Sequence, residues 1–409
     1  MTVYTPTYRV TIAGTVQTST TLEDATISYG RNDFFEATQP SYCNLELLNL
    51  DGTSPTIELL DTILIEVTDS TGAYVKLFTG EVSSVHNRFA GAGLGGKPNT
   101  LQIQAVGALG LLVKRYAGSV AYPEELDGAR ITRILEETLY TAWEDLSNTF
   151  TWNDFTTETW ANYGVQGIDT IDAGRYEMLA RSAQVEQAYN LTDVTQQSGL
   201  GYLYDTTDFK IGYADAERRS ENYTANLIEL DANLVNADIQ TRLQTADIVN
   251  SVVIQYDDPV LEVEAQNDTS INSYGLLQEV RSTILAETAD ATEQATNFVN
   301  YRGTPKASLE EVTVNLAHSD MTNTVRDNLL GVSMDTLLYL DNIPVGLIAE
   351  GSFEGFVEGW TWTLGRNNLE LSMSVSNSIY STLDVQWEDY NAVIQWQNLD
   401  NATRWLDVI

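Results

Sequence analysis

The stretch GAGLGGKP, Gly91 to Pro98, is where residue type and spacing come nearest to a known chemical device. It satisfies G-x-x-x-x-G-K, in which backbone N–H groups and a lysine cradle phosphates. That device also needs a Ser or Thr hydroxyl at the next position to hold magnesium, and Pro98 stands there. The stretch joins two strand-like segments and opens no helix, so it reads as a hairpin tip. A Ser-His-acid triad would have to recruit His86 or His318, the only histidines, and neither accompanies a G-x-S-x-G elbow. Cys43, the sole cysteine, rules out an intrachain disulfide and reads as a buried thiol. With 58 Asp and Glu residues a glycosidase pair could lie anywhere, so abundance carries no information. No EF-hand-like loop is present, and zinc or haem sites rarely manage with two histidines. Nothing here supports catalysis, and no catalytic residue, cofactor or metal is expected.

A second pattern concerns tryptophan. Trp387, Trp396 and Trp405 fall nine residues apart, and each heads the phrase Trp, any residue, Asp or Asn, then an apolar residue. Trp143, Trp152 and Trp160 head the same phrase, so six of the eight tryptophans obey it. A helix turning about 100° per residue would place successive rings on opposite sides, and a straight strand would alternate them. Alignment of the rings therefore requires a bend, which the Asp or Asn can supply by bonding nearby backbone N–H groups. Three readings stay open: local core, a sugar-binding device, or a docking strip. The docking reading assigns partner contacts to Trp143, Trp152, Trp160, Trp387, Tyr390, Trp396, Leu399, Trp405 and Val408, because a rigid ring buries much area with few rotors. Trp360 and Trp362, the exceptions, alternate along one strand and should face a core or an interface.

The elements that must carry these residues are mostly strands. Alternating apolar and polar residues mark YRVTIAG (8–14), DTILIEVTD (61–69), LQIQAV (101–106), NSVVIQY (250–256), LEEVTVNLA (309–317) and LELSMSVS (369–376). Helical spacing appears in ARITRILEETLYTAW, with Asp127 as N-cap, and in ATEQATNFVNYR (291–302), preceded by Asp290 and stopped by Gly303 and Pro305. A weaker helix is expected over 176–198. An internal repeat organises the whole: DTILIEV at Asp61 is followed 17 residues later by FTGEV, and DTLLYLD at Asp335 is followed 18 residues later by FEGFV. The glycine of F-x-G-x-V would permit a bulge or close backbone approach. The expected division is a first β-domain (1–118), an α/β middle domain (119–222) with the tryptophan insert at 143–163, a second β-domain (223–381), and the tryptophan tail (382–409).

Composition bounds the function classes. The formal charge of −37, from 58 acidic against 21 basic residues, argues against ordinary binding to nucleic-acid phosphates. Lys is scarce, 5 against 16 Arg. Such acidity reads as a solubility or high-salt adaptation, or as a surface along which a polyanion moves without sticking. MTVYTPTYRV has neither a basic start nor an apolar run, so no signal peptide is expected, and no uncharged run is long enough for a membrane span.

Several phrases, in order, resemble the hub (minor tail protein) of long-tailed bacteriophages: ISYGRNDFFEATQPSYCNLELLNLDG (27–52), LFTGEVSSV (77–85), SGLGYLYDTTDFKIGYADAERR (198–219) with its terminal basic pair, ADIVNSVVIQY (246–256), NDTSINSYGLLQ (267–278) and FEGFVEGWTWTLGRNNLELSMSVS (353–376). The resemblance extends to contractile-phage baseplate hubs and type VI secretion spike hubs. It implies a mainly β chain with a smaller α/β part, in which two tail-tube-like β-barrel domains are joined. It also implies a homotrimer presenting six barrels to a six-fold tube, at the tail tip of a virion assembled in the host cytoplasm. The partners implied are a distal tail protein or tail-tube ring, the tape measure protein, and other tail-tip or fibre proteins, with genomic DNA passing through transiently. The sequence carries no peptidase, lysozyme-like or long fibre extension, so wall digestion is not expected. A carbohydrate-binding tail component is the alternative, since exposed Trp and Tyr stack on sugar faces; a glycosidase with hidden carboxylates is a further one.

Overall fold

The computed structural model describes residues 4–34, 36–49, 56–89, 99–139, 167–236, 239–243, 245–257, 259–306, 308–309, 311–348 and 351–381. The chain is mainly β. The first six main strands are β1 (Tyr8–Ile12), β2 (Thr20–Gly30), β3 (Gln39–Asn49), β4 (Thr62–Thr68), β5 (Tyr74–Phe89) and β6 (Asn99–Val106). A smaller α/β part follows, with helices α1 (Leu109–Val113), α2 (Asp127–Leu139), α3 (Ala188–Gly199) and α4 (Arg218–Glu221) around strands β7 (Ile168–Ile171), β8 (Tyr202–Asp205) and β9 (Ile211–Ala214). Beyond it lie β10 (Leu227–Asp231), β11 (Ser251–Tyr256), β12 (Leu261–Gln266), α5 (Asp268–Tyr274), β13 (Gln278–Ser282), α6 (Thr288–Arg302), β14 (Val312–Asn315), α7 (Asn323–Leu330), β15 (Leu337–Asp341), β16 (Phe353–Gly365) and β17 (Asn368–Asn377).

The internal repeat is a structural one. In the first half β3, β6, β5 and β4 are antiparallel neighbours in that order; in the second half β14, β17, β16 and β15 repeat it. The registers coincide residue by residue. Ile63 faces Gly80 and Ile65 faces Phe78, as Leu338 faces Gly355 and Leu340 faces Phe353. The D-T-[IL]-L phrases are thus offset by one residue in space, which accounts for the unequal separations of 17 and 18 in the sequence. Both long strands also bulge at the same place, between Val82 and Ser84 in β5 and between Val357 and Gly359 in β16.

A bulge inserts one residue and so exchanges the faces of everything after it. In β16 one buried face is Phe353, Gly355 and Val357 before the bulge, and Trp360, Trp362 and Leu364 after it; Phe356, Glu358 and Gly359 are buried as well. The bulge sits three residues past the expected glycine. That glycine serves close approach instead: a Cβ on Gly80 would meet the Phe78 ring at 2.5 Å, and one on Gly355 would meet the Ser376 carbonyl at 2.3 Å.

The two halves share one sheet of twelve strands, because β16 pairs with β2 from Gly359 opposite Gly30 to Gly365 opposite Asp24. A single core from Val10 to Val375 underlies both. No closed barrel forms among the described strands: the β2 edge that closure of the first unit could use is taken by β16 of the second. Tube-like β units are present twice, as open sheets fused at a seam.

Smaller cores lie outside that sheet. One packs α2 and α3 on β8 and β9. The other packs α6 on β11, within the sheet ordered β12, β11, β13, an α/β insertion that alternation alone did not reveal. Asp127 is the first residue of α2, not the residue before it. The helix expected over 176–198 starts only at Ala188, since Glu177–Met178 and Glu186–Gln187 pair as short strands. It ends on Leu200, whose φ of 54° is left-handed. The helix expected from 291 begins at Thr288, and Asp290 bonds the Glu177 N–H from its first turn. Among the described residues no helix is long and apolar enough to cross a membrane.

Candidate functional site: a buried arginine–glutamate junction

The residue left over by the second bulge is Glu358, and it is 0 % exposed. An isolated carboxylate there would be costly, so it must be paired. Arg31 Nε donates to its Oε2 at 2.8 Å, Arg219 Nη1 to its Oε1 at 2.7 Å, and the Ser376 hydroxyl also donates to it. The equivalent bulge residue in the first unit is Ser83, which is exposed and bonds the Gln104 carbonyl. One copy of the bulge has therefore been turned into a charged anchor.

The anchor joins three parts of the chain. Arg31 follows β2 of the first unit, Arg219 lies on α4 of the α/β part, and Glu358 belongs to β16 of the second unit. Arg219 also donates to the Met334 carbonyl at 2.8 Å and the Ser381 hydroxyl at 2.7 Å. Its guanidinium lies 4.7 Å from the Tyr202 ring and 4.9 Å from the Phe356 ring. Two glycines let the strands close over the pair. Gly30, at φ 81°, and Gly359 face each other across the seam, and a Cβ on either would meet opposing backbone at 2.3 or 2.4 Å.

Burial alone would raise the Glu358 carboxyl, but Arg219 and Arg31 outweigh it and hold it down at about 2. Burial lowers Arg31, aided by repulsion from Arg219; Arg219 is itself raised, its burial outweighed by Glu358. The geometry is that of a buried ion cluster.

Further polar joints fix the α/β part. Asp205 of β8 accepts from the Ser41 N–H and hydroxyl, each at 2.7 Å, and from the Leu109 N–H at 2.7 Å, tying it to β3 and α1. Burial lifts its carboxyl to about 6 against those donors. Arg218, the other half of the basic pair, is bonded to Asp172 and lies 3.8 Å from Asp335.

The residues singled out by sequence are placed as follows. Trp143, Trp152, Trp160, Trp387, Tyr390, Trp396, Leu399, Trp405 and Val408 lie outside the described residues, as does Gly91 to Pro98. Trp360 and Trp362 are buried in β16, and Trp360 stacks on Tyr29 with ring centroids 4.9 Å apart. Cys43 is buried in β3, and burial pushes its thiol up. His86 is exposed on β5, and His318 Nδ1 accepts the Asp320 N–H in a turn. Glu124, Glu177 and Glu287 bring carboxylate oxygens within 4.8 Å of one another, but two of the three are exposed, and such acidic groups are common without an ion. The junction itself went unpredicted. Its signal was the second of two acids, Glu354 and Glu358, in the otherwise apolar run FEGFVEGWTW, and the quoted phrases ISYGRNDF, ADAERR and FEGFVEG contribute Arg31, Arg219 and Glu358 in turn.

No family model and no curated relative matches the chain. Solved structures do. The 43 kDa tail protein of prophage MuSo2 from Shewanella oneidensis is similar over 92 % of this chain and 99 % of its own, with TM-score 0.56 and 12 % identity. The tail protein from Neisseria meningitidis MC58 is similar over 92 % and 98 %, with TM-score 0.57 and 11 % identity. The Escherichia coli c3393 protein, a type VI secretion component described as similar to bacteriophage T4 tail proteins gp27 and gp5, matches at TM-score 0.48 and 10 % identity over 90 % and 76 %. The chain shares the fold of these two tail proteins from Shewanella oneidensis and Neisseria meningitidis over 92 % of its length.

Proposed function

We propose that the chain is a structural virion protein, the trimeric hub at the distal end of a phage tail. It adapts the six-fold tail tube to the three-fold tip and forms part of the DNA-ejection channel. The observation that carries this reading is the β unit used twice at one register and fused through β2 and β16. Three such chains offer six equivalent β units to a ring of six. The tail-protein folds of similar length support the setting. A clamped seam suits an adaptor that must hold its two units at fixed spacing, and the reading requires no catalysis.

The acidity then has a role. Duplex DNA carries one negative charge per ~1.7 Å, and a lumen rich in Lys and Arg would retain it. A net negative or neutral inner surface lets it pass. The divisions at 118, 222 and 381 mark the proposed units. The partners are the distal tail protein or tube ring, the tape measure protein and other tip proteins.

Gold-labelled antibody against the chain should decorate the distal end of tails in negative stain; labelling along the shaft or on the capsid contradicts the hub. Within the same reading the tail tryptophans dock a neighbouring subunit or tip protein. Deleting residues 383–409 should leave the β units folded by circular dichroism but reduce infectious tails. Normal yields from the truncated gene would contradict docking and leave the glycan-binding alternative to an array experiment.

A further inference from the structure

The duplicated β unit is completed differently in its two copies. In the second, β16 pairs with β17 along one edge, so β15 and β2 share the other, β15 before the bulge and β2 beyond it. In the first, β5 pairs with β6 along one edge and with β4 before the bulge. Beyond that bulge no described strand takes the place of β2. Val85 is half-buried there and His86 and Arg88 are exposed, whereas the equivalent Trp360 is buried and Thr361 and Thr363 half-buried. A strand edge left in this way presents a template for another strand.

The complementary strand is also present. β2 lies on β3 with Leu22 opposite Leu47 and Ser28 opposite Tyr42, six residues spanning five. On the second unit Val235 bridges Val314 and Thr241 pairs with Leu309, again six spanning five. Val314 is the equivalent of Leu47, since it faces Leu371 as Leu47 faces Leu101, and Leu309 is that of Tyr42 by the same count. Val235 and Thr241 therefore hold the places of Leu22 and Ser28. The short strand through Thr241 pairs, among the described strands, with Ser308–Leu309 alone.

We infer that β5 beyond its bulge pairs with the strand through Thr241 of a second copy, repeating between chains the seam that β2 and β16 make within one. The intrachain seam supplies the register. There Ser28 stands opposite Thr361, with their hydroxyl oxygens 3.2 Å apart. His86 holds the place of Thr361, because it faces Gln102 as Thr361 faces Ser372. Thr241 of one copy is thus set opposite His86 of the next. The two surfaces differ and each copy carries both, so the contacts run head to tail. This seam lacks the lock of the first: Ser83 stands where Glu358 does, and Leu243 and Ser84 where Gly30 and Gly359 close up. It is accordingly the weaker seam, as joining separately folded chains requires. The number of copies rests on the hub reading; the seam rests on the repeat.

The test oxidises full-length Thr241→Cys and His86→Cys variants with copper–phenanthroline, the parent with its buried Cys43 serving as blank. Mixed, the two should give a covalent dimer on a non-reducing gel, and each alone at least about tenfold less. Arg88→Cys, two residues along the same face, should couple to Thr241→Cys about tenfold less than His86→Cys does. Leu243→Cys with Ser84→Cys, in the same register, repeats the test should either variant fail to fold. A chain carrying both Thr241→Cys and His86→Cys should stop at a covalent trimer. No coupling of the mixed chains, equal coupling of Arg88→Cys, or coupling of either variant with itself would overturn the seam. A trimer by light scattering without coupling would overturn the seam and keep the hub. Coupled chains running past three would support the seam and overturn the three-fold hub.

Discussion

At the scale of single residues, the account turns on Glu358. Replacing it by Gln keeps the shape but leaves two buried guanidiniums without an anion, a loss of about 3–5 kcal/mol. Denaturant unfolding of Glu358→Gln against the parent measures it. The pH dependence has a definite sign. The folded carboxyl is held at about 2 against an ordinary 4.5, so its stabilisation is fully present above 4.5 and lost as pH falls through about 2. The gap between parent and variant should therefore shrink across that window. An equal gap at both ends would contradict the ion-cluster reading. Sequence made part of this legible. The buried alternation at Ile63, Ile103 and Leu371 was plain, and Trp362, expected to face a core or an interface, is in the core. The pairing of Glu358 with Arg31 was not, because 327 residues separate partners whose meeting depends on strand order.

At the scale of elements, the seam of β2 on β16 depends on backbone proximity. A Cβ on Gly359 would meet the Arg31 carbonyl at 2.4 Å and the Tyr29 carbonyl at 2.7 Å, both backbone atoms unable to swing aside. Gly359→Ala should cost about 3 kcal/mol or more and strip hydrogen-exchange protection from β2 and β16 while β3 and β6 keep theirs. Gly346→Ala, with nothing within 4 Å of its Cβ, is the control and should melt like the parent. Protection lost evenly over the whole sheet would contradict a localised seam. The repeat was readable here because D-T-[IL]-L and F-x-G-x-V mark the same strand pair twice. The bulges were not, since Ser83 and Glu358 share no chemistry and only the exchange of faces around them reveals their equivalence. Helix starts failed for a related reason: residues 177–187 have helical spacing but pair with distant strands, and tertiary pairing prevailed over local pattern.

At the scale of the whole molecule, one sheet and one core run through both β units, and the junction fastens the α/β part to them. A shared sheet and core suit the proposed adaptor, which must hold its two β units at fixed spacing. A charge of −37 over that body disfavours lasting hold on a polyanion and suits a passage for one. The most direct measurement is a cryo-electron microscopy map of the tail tip, symmetrised as three-fold and resolved to strands. The account predicts three copies of this chain, their six β units arranged quasi-equivalently against the last tube ring around a channel with a net negative or neutral wall. A single copy, six copies, or a channel lined continuously by Lys and Arg would contradict it.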